Sequence, residues 1–159
     1  LDIRRATAWL ASRPEIDASQ LGVFGISLGG ITGALAATAE PRLQNVCLLL
    51  AGGDIAQPGW DAPQARVVRE RWLAEGHSRE EFVEILRAVD PVTYAASARG
   101  KRILLLNATD DEVIPRACTE SLWRSLGEPE IRWLSGGHFS VSRHLLTALL
   151  QVAKFFAKE

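Results

Sequence analysis

A serine flanked by glycines is the first group in this sequence that could do chemistry. Gly25-Ile26-Ser27-Leu28-Gly29 has the pattern G-x-S-x-G and lies where a short apolar run gives way to an alanine-rich, helix-like segment. A serine in such a tight turn presents its hydroxyl as a nucleophile, and the flanking glycines would remove side chains that collide with neighbouring backbone. The first N–H groups of the following helix, above all that of Leu28, would stabilise an oxyanion. The segment therefore predicts attack by Ser27 on a carbonyl carbon.

A nucleophilic serine needs a base and an acid, and candidates for both follow predicted strands further along the chain. His138 follows two glycines after the last predicted strand, and Asp110 and Asp111 follow the strand before it. Asp54, after an earlier strand, is a weaker candidate for the acid. The acid would fix the tautomer of the base and stabilise its charged form. Because each group stands at the carboxyl end of a predicted strand, we expect them to meet at one edge of a parallel sheet.

Alternating strands and helices must position these groups. Three apolar runs and a fourth, weaker segment predict strands, and apolar residues at helical spacing predict the helices between them. A polar segment over residues 55–100 predicts a helical lid inserted in the same domain. We expect one domain over residues 1–159, of the α/β class, with a three-layer α/β/α architecture and a mainly parallel sheet. The predicted strands are 21–25, 45–51, 102–107 and 130–134. The predicted helices are 1–13, 28–39, 65–74 and 79–89, and two further helices are marked by apolar residues spaced over 119–126 and 145–156.

The composition argues against several classes of partner. The chain has 159 residues, and its 18 basic and 19 acidic side chains give a net charge of −1. This charge favours neither nucleic acid nor an anionic membrane as a partner, and no apolar stretch approaches the ~20 residues that span a bilayer. We expect a soluble, cytoplasmic protein that acts on a small molecule. Without clustered ligands or a phosphate-binding glycine loop, we expect neither a metal ion nor an organic cofactor. Cys47 and Cys118, each in an apolar run, are predicted to be unpaired.

Three short segments are typical of one superfamily: Gly-Ile-Ser-Leu-Gly-Gly at 25–30, Asp-Pro-Val-Thr-Tyr-Ala at 90–95 and Gly-Gly-His-Phe at 136–139. Through them the whole chain resembles the C-terminal half of an α/β-hydrolase, and most of all esterases and dienelactone-hydrolase-like proteins. In such hydrolases the acid resembles the aspartate of a D-x-x-[VI]-P segment, which here covers residues 111–115. The resemblance therefore implies a triad of Ser27, His138 and Asp111 that works through an acyl-enzyme. Dienelactone hydrolases use cysteine as the nucleophile, so the serine favours a carboxylic ester or a related acyl substrate.

The remaining acidic and imidazole groups have more ordinary interpretations. Asp110 is expected to be the N-cap of a helix that begins with a proline. His77 lies in a predicted turn of the insertion and His144 within the predicted last helix, so we expect both to be solvent-exposed.

Alternative functions stay open at this point. The same triad serves thioesterases and peptidases, because acyl specificity lies in the pocket and the lid. A truncated hydrolase fold could also serve as a non-catalytic module for binding or assembly. Trp60, Trp72 and Phe82 in the insertion either line an apolar acyl pocket or anchor the insertion to the core, and we expect the second.

The resemblance does not extend to the N-terminal strands of a full α/β-hydrolase. The sequence contains no methionine, and its first five residues look like the middle of a helix, so we expect an upstream segment in the natural protein. In such hydrolases a loop among those strands supplies the second oxyanion N–H. We therefore expect a missing N-terminal segment or a second chain to complete the sheet, and the isolated chain to react slowly.

Overall fold

The four segments that the sequence predicts as strands form a parallel sheet. The computed structural model describes residues 2–157. Its strands are β1 (Gly22–Ile26), β2 (Asn45–Leu49), β3 (Arg102–Ala108) and β4 (Glu130–Leu134), which lie in that order across the sheet, all parallel. Because the strands run in one direction, their carboxyl ends share one edge of the sheet, where ligands of open α/β sheets bind.

Helices cover both faces of this sheet. Alternate residues of a buried strand face opposite layers. Ile103 and Leu105 belong to a buried cluster with the helices at Leu28–Ala39 and Arg116–Ser125, whereas Leu104 and Leu106 belong to one with the helix at Leu145–Phe156. The predicted three-layer α/β/α architecture with a mainly parallel sheet is therefore confirmed. The helices are α1 (Asp2–Ala11), α2 (Leu28–Ala39), α3 (Ala56–Asp61), α4 (Arg66–Ala74), α5 (Arg79–Arg87), α6 (Pro91–Tyr94), α7 (Arg116–Ser125) and α8 (Leu145–Phe156).

Several predicted boundaries differ from the structure by one or two residues. β2 ends at Leu49 rather than at residue 51, because Leu50 has a φ of 54° and leaves the extended conformation. β1 begins and ends one residue later than predicted. The first helix, predicted over residues 1–13, ends at Ala11, and Leu1 lies outside the described residues.

The segment between β2 and β3 forms the helices α3 to α6. Trp60, Trp72 and Phe82 pack on one another, with ring centroids 5.3 Å apart for Trp60 and Phe82 and 6.2 Å apart for Trp72 and Phe82. The three rings line an apolar cavity of about 330 Å³, and within residues 2–157 none of them belongs to the buried clusters that pack on the sheet. The structure therefore does not support the expectation that they anchor the insertion to the core, since their aromatic partners lie inside the insertion. That the segment acts as a lid stays a prediction.

The carboxyl end of α2 is fixed by two charged side chains. Lys101 Nζ donates hydrogen bonds to the carbonyl oxygens of Ala37, Glu40 and Leu43, at 2.7, 2.8 and 3.0 Å. The last carbonyl groups of a helix receive no hydrogen bond from an N–H group of the same helix. An ammonium group can donate to them and also complements the negative end of the helix dipole. The buried Glu40 carboxylate accepts hydrogen bonds from the Arg42 guanidinium, which lower the pKa of Glu40 to about 2.

We expect Lys101→Met to lower the free energy of unfolding by about 2–3 kcal/mol, because it leaves three carbonyl groups without their charged donor. Urea denaturation followed by circular dichroism measures the loss. Lys154→Met, at an exposed position of α8, makes the same chemical change and should stay within about 0.5 kcal/mol of the unaltered chain. Equal losses in the two variants would contradict the stabilising role of Lys101.

Candidate active site

Ser27 lies in the turn between β1 and α2, in a backbone conformation that is uncommon for a residue with a side chain. Its φ and ψ are 54° and −119°, a strained combination that costs about 1–3 kcal/mol and persists only where the surroundings hold it. Two hydrogen bonds hold it here: Ser27 N donates to Leu49 O at 2.8 Å, and Ile31 N donates to Ser27 O at 3.0 Å. The serine is therefore fixed at the tip of the turn from β1 into α2.

Only one of the two glycines that flank Ser27 relieves a collision. A Cβ at Gly25 would lie 2.0 Å from the carbonyl oxygen of Gly29, whereas a Cβ at Gly29 would meet nothing within 4 Å. The expectation that both glycines remove a collision is therefore right for Gly25 and wrong for Gly29. Position 25 faces the close approach of β1 and α2, and position 29 faces away from it. The tighter position on the helix is Gly30, where a Cβ would lie 3.0 Å from that of Ala51.

His138 lies between Ser27 and Asp111. Its Nε2 is 2.9 Å from Ser27 Oγ, and its Nδ1 is 3.0 and 2.9 Å from Oδ1 and Oδ2 of Asp111. A carboxylate only accepts hydrogen bonds, so the ring proton belongs on Nδ1, and Nε2 is left to accept from the serine hydroxyl. The side chains of His138 and Asp111 are 8% and 1% exposed, so water competes little for these bonds. The structure thus brings the three predicted side chains into one hydrogen-bonded chain.

Asp111 is held by backbone groups as well as by the histidine. Its Oδ1 accepts hydrogen bonds from the N–H groups of Val113 and Ile114 at 2.9 and 2.7 Å. These bonds help to orient the carboxylate that the imidazole contacts. They also satisfy the negative charge of a nearly buried group, which would otherwise be costly to desolvate.

The alternative acids are not in contact with the imidazole in this way. Asp110 is exposed, and its carboxylate accepts a hydrogen bond from the Thr109 hydroxyl at 2.7 Å. Helix α7 has no side-chain cap, so the predicted N-cap role of Asp110 is wrong: the N–H groups of this turn are taken by Asp111 instead. Asp54 is exposed beyond the end of β2, and the carboxylate that the histidine ring contacts is that of Asp111.

The other two histidines are exposed, as predicted. His77 lies between α4 and α5, stacks on Trp72 with ring centroids 4.2 Å apart, and places its Nδ1 3.2 Å from the carboxylate of Glu81. His144 ends a 3₁₀ turn (Ser140–His144) just before α8, so its predicted place within the last helix is wrong. The imidazole that Ser27 Oγ contacts is that of His138.

The loops after β3 and β4 are tied to each other. Asp110 N donates to Gly136 O at 3.0 Å, and Glu112 Oε2 accepts a hydrogen bond from His138 N at 2.8 Å. Sequence reasoning missed Glu112, because a glutamate beside two aspartates carries no pattern that predicts a contact with backbone 26 residues away. The loop of the acid and the loop of the histidine therefore form one unit.

The amino end of α2 offers N–H groups beside the serine. The first hydrogen bond of the helix runs from Ile31 N to Ser27 O, so the N–H groups of Leu28, Gly29 and Gly30 have no acceptor within the helix. Together with the helix dipole, such groups favour negative charge at this end. The oxyanion role of Leu28 is compatible with this arrangement and stays a prediction.

Neither cysteine is placed to act as a nucleophile. Cys47 in β2 and Cys118 in α7 are buried and unpaired, as predicted, and burial raises the pKa of Cys47 to about 12 and that of Cys118 to about 11. In residues 2–157, no group of three or more His, Cys, Asp and Glu side chains could hold a metal ion. That part of the chain also contains no helix long and apolar enough to cross a membrane.

Comparison with known proteins points to one family. The sequence model of the prolyl oligopeptidase family matches residues 1–157. An uncharacterized protein of Mycobacterium tuberculosis is 29% identical over 142 residues, an alignment that covers 86% of this chain and 32% of that protein. The chain therefore spans about a third of the length of the curated relatives that it matches.

Solved structures share the fold. Puromycin hydrolase is 25% identical, with a TM-score of 0.71 over 99% of this chain and 25% of its own. Acetyl xylan esterase 1 from Thermoanaerobacterium sp. JW/SL YS485 is 21% identical, with a TM-score of 0.71 over 94% of this chain and 51% of its own. At that identity the likeness to the esterase shows the fold alone. Together with the family match, these structures confirm the α/β-hydrolase superfamily that the sequence resembles.

We expect Gly25→Ala to lower the free energy of unfolding by about 3 kcal/mol, because its Cβ fits only if β1 and α2 move apart. Gly29→Ala makes the same change where the space is open and should cost nothing, or stabilise by up to about 1 kcal/mol, because alanine is favoured over glycine in a helix. Urea denaturation of both variants measures the difference. Similar losses in the free energy of unfolding for the two variants would contradict a steric requirement for glycine at position 25.

Proposed function

Because the chain belongs to the prolyl oligopeptidase family, we propose that it is a serine hydrolase that cleaves a carboxylic ester or a related acyl substrate. Ser27 is the nucleophile, His138 the base and Asp111 the acid, and the reaction passes through an acyl-enzyme. The substrate is a small molecule. Triad chemistry of this kind needs neither a metal ion nor an organic cofactor.

One observation carries this proposal: a continuous line of hydrogen bonds runs from the Asp111 carboxylate through His138 to the Ser27 hydroxyl. A serine hydroxyl is a weak nucleophile at its ordinary pKa and needs an adjacent base. Asp111 commits Nδ1 as the donor, so Nε2 is free to take the hydroxyl proton. The bond between Ser27 and His138 joins residues 111 positions apart, so the fold as a whole is required to make it.

The reaction follows from these contacts. Ser27 Oγ forms a bond to the acyl carbon while its proton passes to His138 Nε2, and the Asp111 carboxylate stabilises the imidazolium. The carbonyl oxygen takes up negative charge, which the Leu28 N–H and the amino end of α2 stabilise. The tetrahedral intermediate then expels the alcohol, which receives the proton from His138. Water then attacks the acyl carbon and gives a proton to His138 Nε2, and as the bond between the acyl carbon and Ser27 Oγ breaks, that proton passes to Oγ and the acid is released.

We also propose that a further segment of the protein, or a second chain, completes the sheet beside β1 and supplies the second oxyanion N–H. In the described part of the chain β1 pairs with β2 alone, and its Phe24 and Ile26 side chains are 36% and 40% exposed. An apolar edge strand of this kind readily pairs with another strand. One missing oxyanion donor typically costs ~10²–10³ in rate, so the chain without that segment reacts slowly.

Peptide-bond hydrolysis is the second candidate, and the family match favours it, because the family is named for a peptidase. The triad serves both reactions, since the acyl-enzyme is the same and only the leaving group differs. Values of kcat/KM for a p-nitrophenyl ester, a thioester and a p-nitroanilide with the same acyl group separate ester, thioester and amide specificity. Turnover of the anilide alone would favour the peptidase over the esterase.

We expect Ser27→Ala to abolish reaction with a fluorophosphonate, because the nucleophilic oxygen is gone, while circular dichroism stays unchanged. Mass spectrometry of the treated chain measures the covalent adduct. Ser12→Ala, which removes an exposed hydroxyl on the first turn beyond α1, is the matched control and should label like the unaltered chain. An adduct retained in Ser27→Ala would show that another residue is the nucleophile, whereas no adduct on the unaltered chain would favour the non-catalytic alternative.

We expect Asp111→Asn to lower the phosphonylation rate by about 10³–10⁴-fold, because an amide can present a donor to Nδ1 and no longer stabilises the imidazolium. Asp110→Asn makes the identical change one residue earlier, on an exposed carboxylate, and should leave the rate within about twofold, as expected of a surface substitution. Stopped-flow or quenched labelling measures both rates. A larger loss in Asp110→Asn than in Asp111→Asn would reassign the acid.

A further inference from the structure

Glu112 is a third acidic residue beside His138, and it contacts the backbone of the histidine instead of its ring. Glu112 Oε2 accepts a hydrogen bond from His138 N at 2.8 Å, and the N–H of Phe139 also contributes a hydrogen bond to this carboxylate. Hydrogen bonds from its own backbone N–H and from that of His138 lower the pKa of Glu112, so the group is ionised at neutral pH. An ionised acceptor makes the stronger kind of hydrogen bond.

The residue before the histidine makes room for this contact. A Cβ at Gly137 would lie 2.2 Å from Glu112 Oε2, so a side chain there would push the carboxylate away from the backbone of His138. Gly136 has a φ of 114°, whereas Gly137 is not in the positive-φ region. The glycine at 137 is therefore explained by the space that Glu112 occupies rather than by its own backbone conformation.

His138 needs such an anchor because it lies beyond regular structure. β4 ends at Leu134, so no neighbouring strand fixes the N–H at 138. The imidazole ring is held at Nδ1 by Asp111 and meets Ser27 at Nε2. A side chain held only at its ring would still move with its loop.

We propose that Glu112 is a positioning residue for the base: it fixes the backbone at 138 so that the imidazole stays in line between Ser27 Oγ and Asp111. This inference rests on the proposed function of the site. Adjacent residues thus hold the two ends of one side chain, Asp111 the ring and Glu112 the main chain. A displacement of about 1 Å in such a geometry can cost about 10²-fold in rate, so loss of the anchor acts on the chemical step rather than on binding.

The test is the phosphonylation of the chain by a fluorophosphonate, resolved into kinact and KI. We expect Glu112→Ala to lower kinact about tenfold or more with KI unchanged. Glu112→Gln keeps an oxygen that accepts the N–H of His138, so its kinact should stay within about threefold of the unaltered value. Asp110→Asn, beside it in sequence, is the matched control and should change neither constant.

A double variant shows whether the two residues act through one contact. Gly137→Ala should lower kinact as much as Glu112→Ala, because it displaces the same carboxylate without removing it. The double variant should lose no more than either single variant, since one contact cannot be broken twice. Additive losses would overturn the proposal, as would an unchanged kinact in Glu112→Ala.

The contact itself can be measured without activity. Hydrogen exchange at the His138 amide should be slow in the unaltered chain and in Glu112→Gln, and fast in Glu112→Ala. Fast exchange in the unaltered chain would overturn the proposal while leaving Ser27 reactive. If the unaltered chain does not react with the probe at all, the proposed function fails, and the role of Glu112 in catalysis fails with it.

Discussion

The close approach of β1 and α2 at Gly25 is the constraint on which the rest of the site depends. A Cβ there would lie 2.0 Å from the carbonyl oxygen of Gly29, so the chain turns from strand to helix within a single residue. That residue, Ser27, must adopt a φ of 54°, a conformation whose cost is offset by bonds to neighbouring structure. The same tight turn sets the serine directly at the amino end of α2, where backbone N–H groups favour a developing negative charge. The position of the nucleophile and the position of the anion-stabilising N–H groups thus both follow from the close approach of β1 and α2.

The sheet extends this constraint to the other two side chains. Ser27 N is bound to Leu49 O, so β2 must lie beside β1 before the turn can be held. β3 and β4 follow in order, which places the loop of Asp111 two strands from Ser27 and the loop of His138 three strands away. The imidazole must therefore reach back across the sheet edge. This geometry explains why the loops after β3 and β4 are bonded to each other, and why His138 is held both at its ring and at its main chain.

The sheet and the serine turn could be predicted from the sequence because each leaves a local signal. β2 and β3 are buried along almost their whole length and appear in the sequence as continuous apolar runs. G-x-S-x-G between a strand and a helix indicates one kind of turn. Contacts between distant segments leave no such signal. The choice between Asp110 and Asp111 needed the family resemblance, because adjacent residues in a turn point in different directions and composition does not show which one faces the histidine. The different surroundings of Gly25 and Gly29, the mutual packing of Trp60, Trp72 and Phe82, and the contact of Glu112 all depend on tertiary structure.

The acidic run from Asp110 to Glu112 shows how neighbouring groups of one chemical type acquire different tasks. Asp110 is exposed and bound to the neighbouring threonine, so its charge is screened by water. Asp111 is nearly buried, and its charge is met by two backbone N–H groups and the imidazole. Glu112 is exposed, but its carboxylate accepts a hydrogen bond from the N–H of His138. Each carboxylate of this run therefore has its own hydrogen-bond donors. Proton transfer from Ser27 would create an imidazolium beside the Asp111 carboxylate, which stabilises that charge more than it stabilises the neutral ring. Of the three acidic residues, Asp111 is therefore the one that favours the charged intermediate that a serine nucleophile requires.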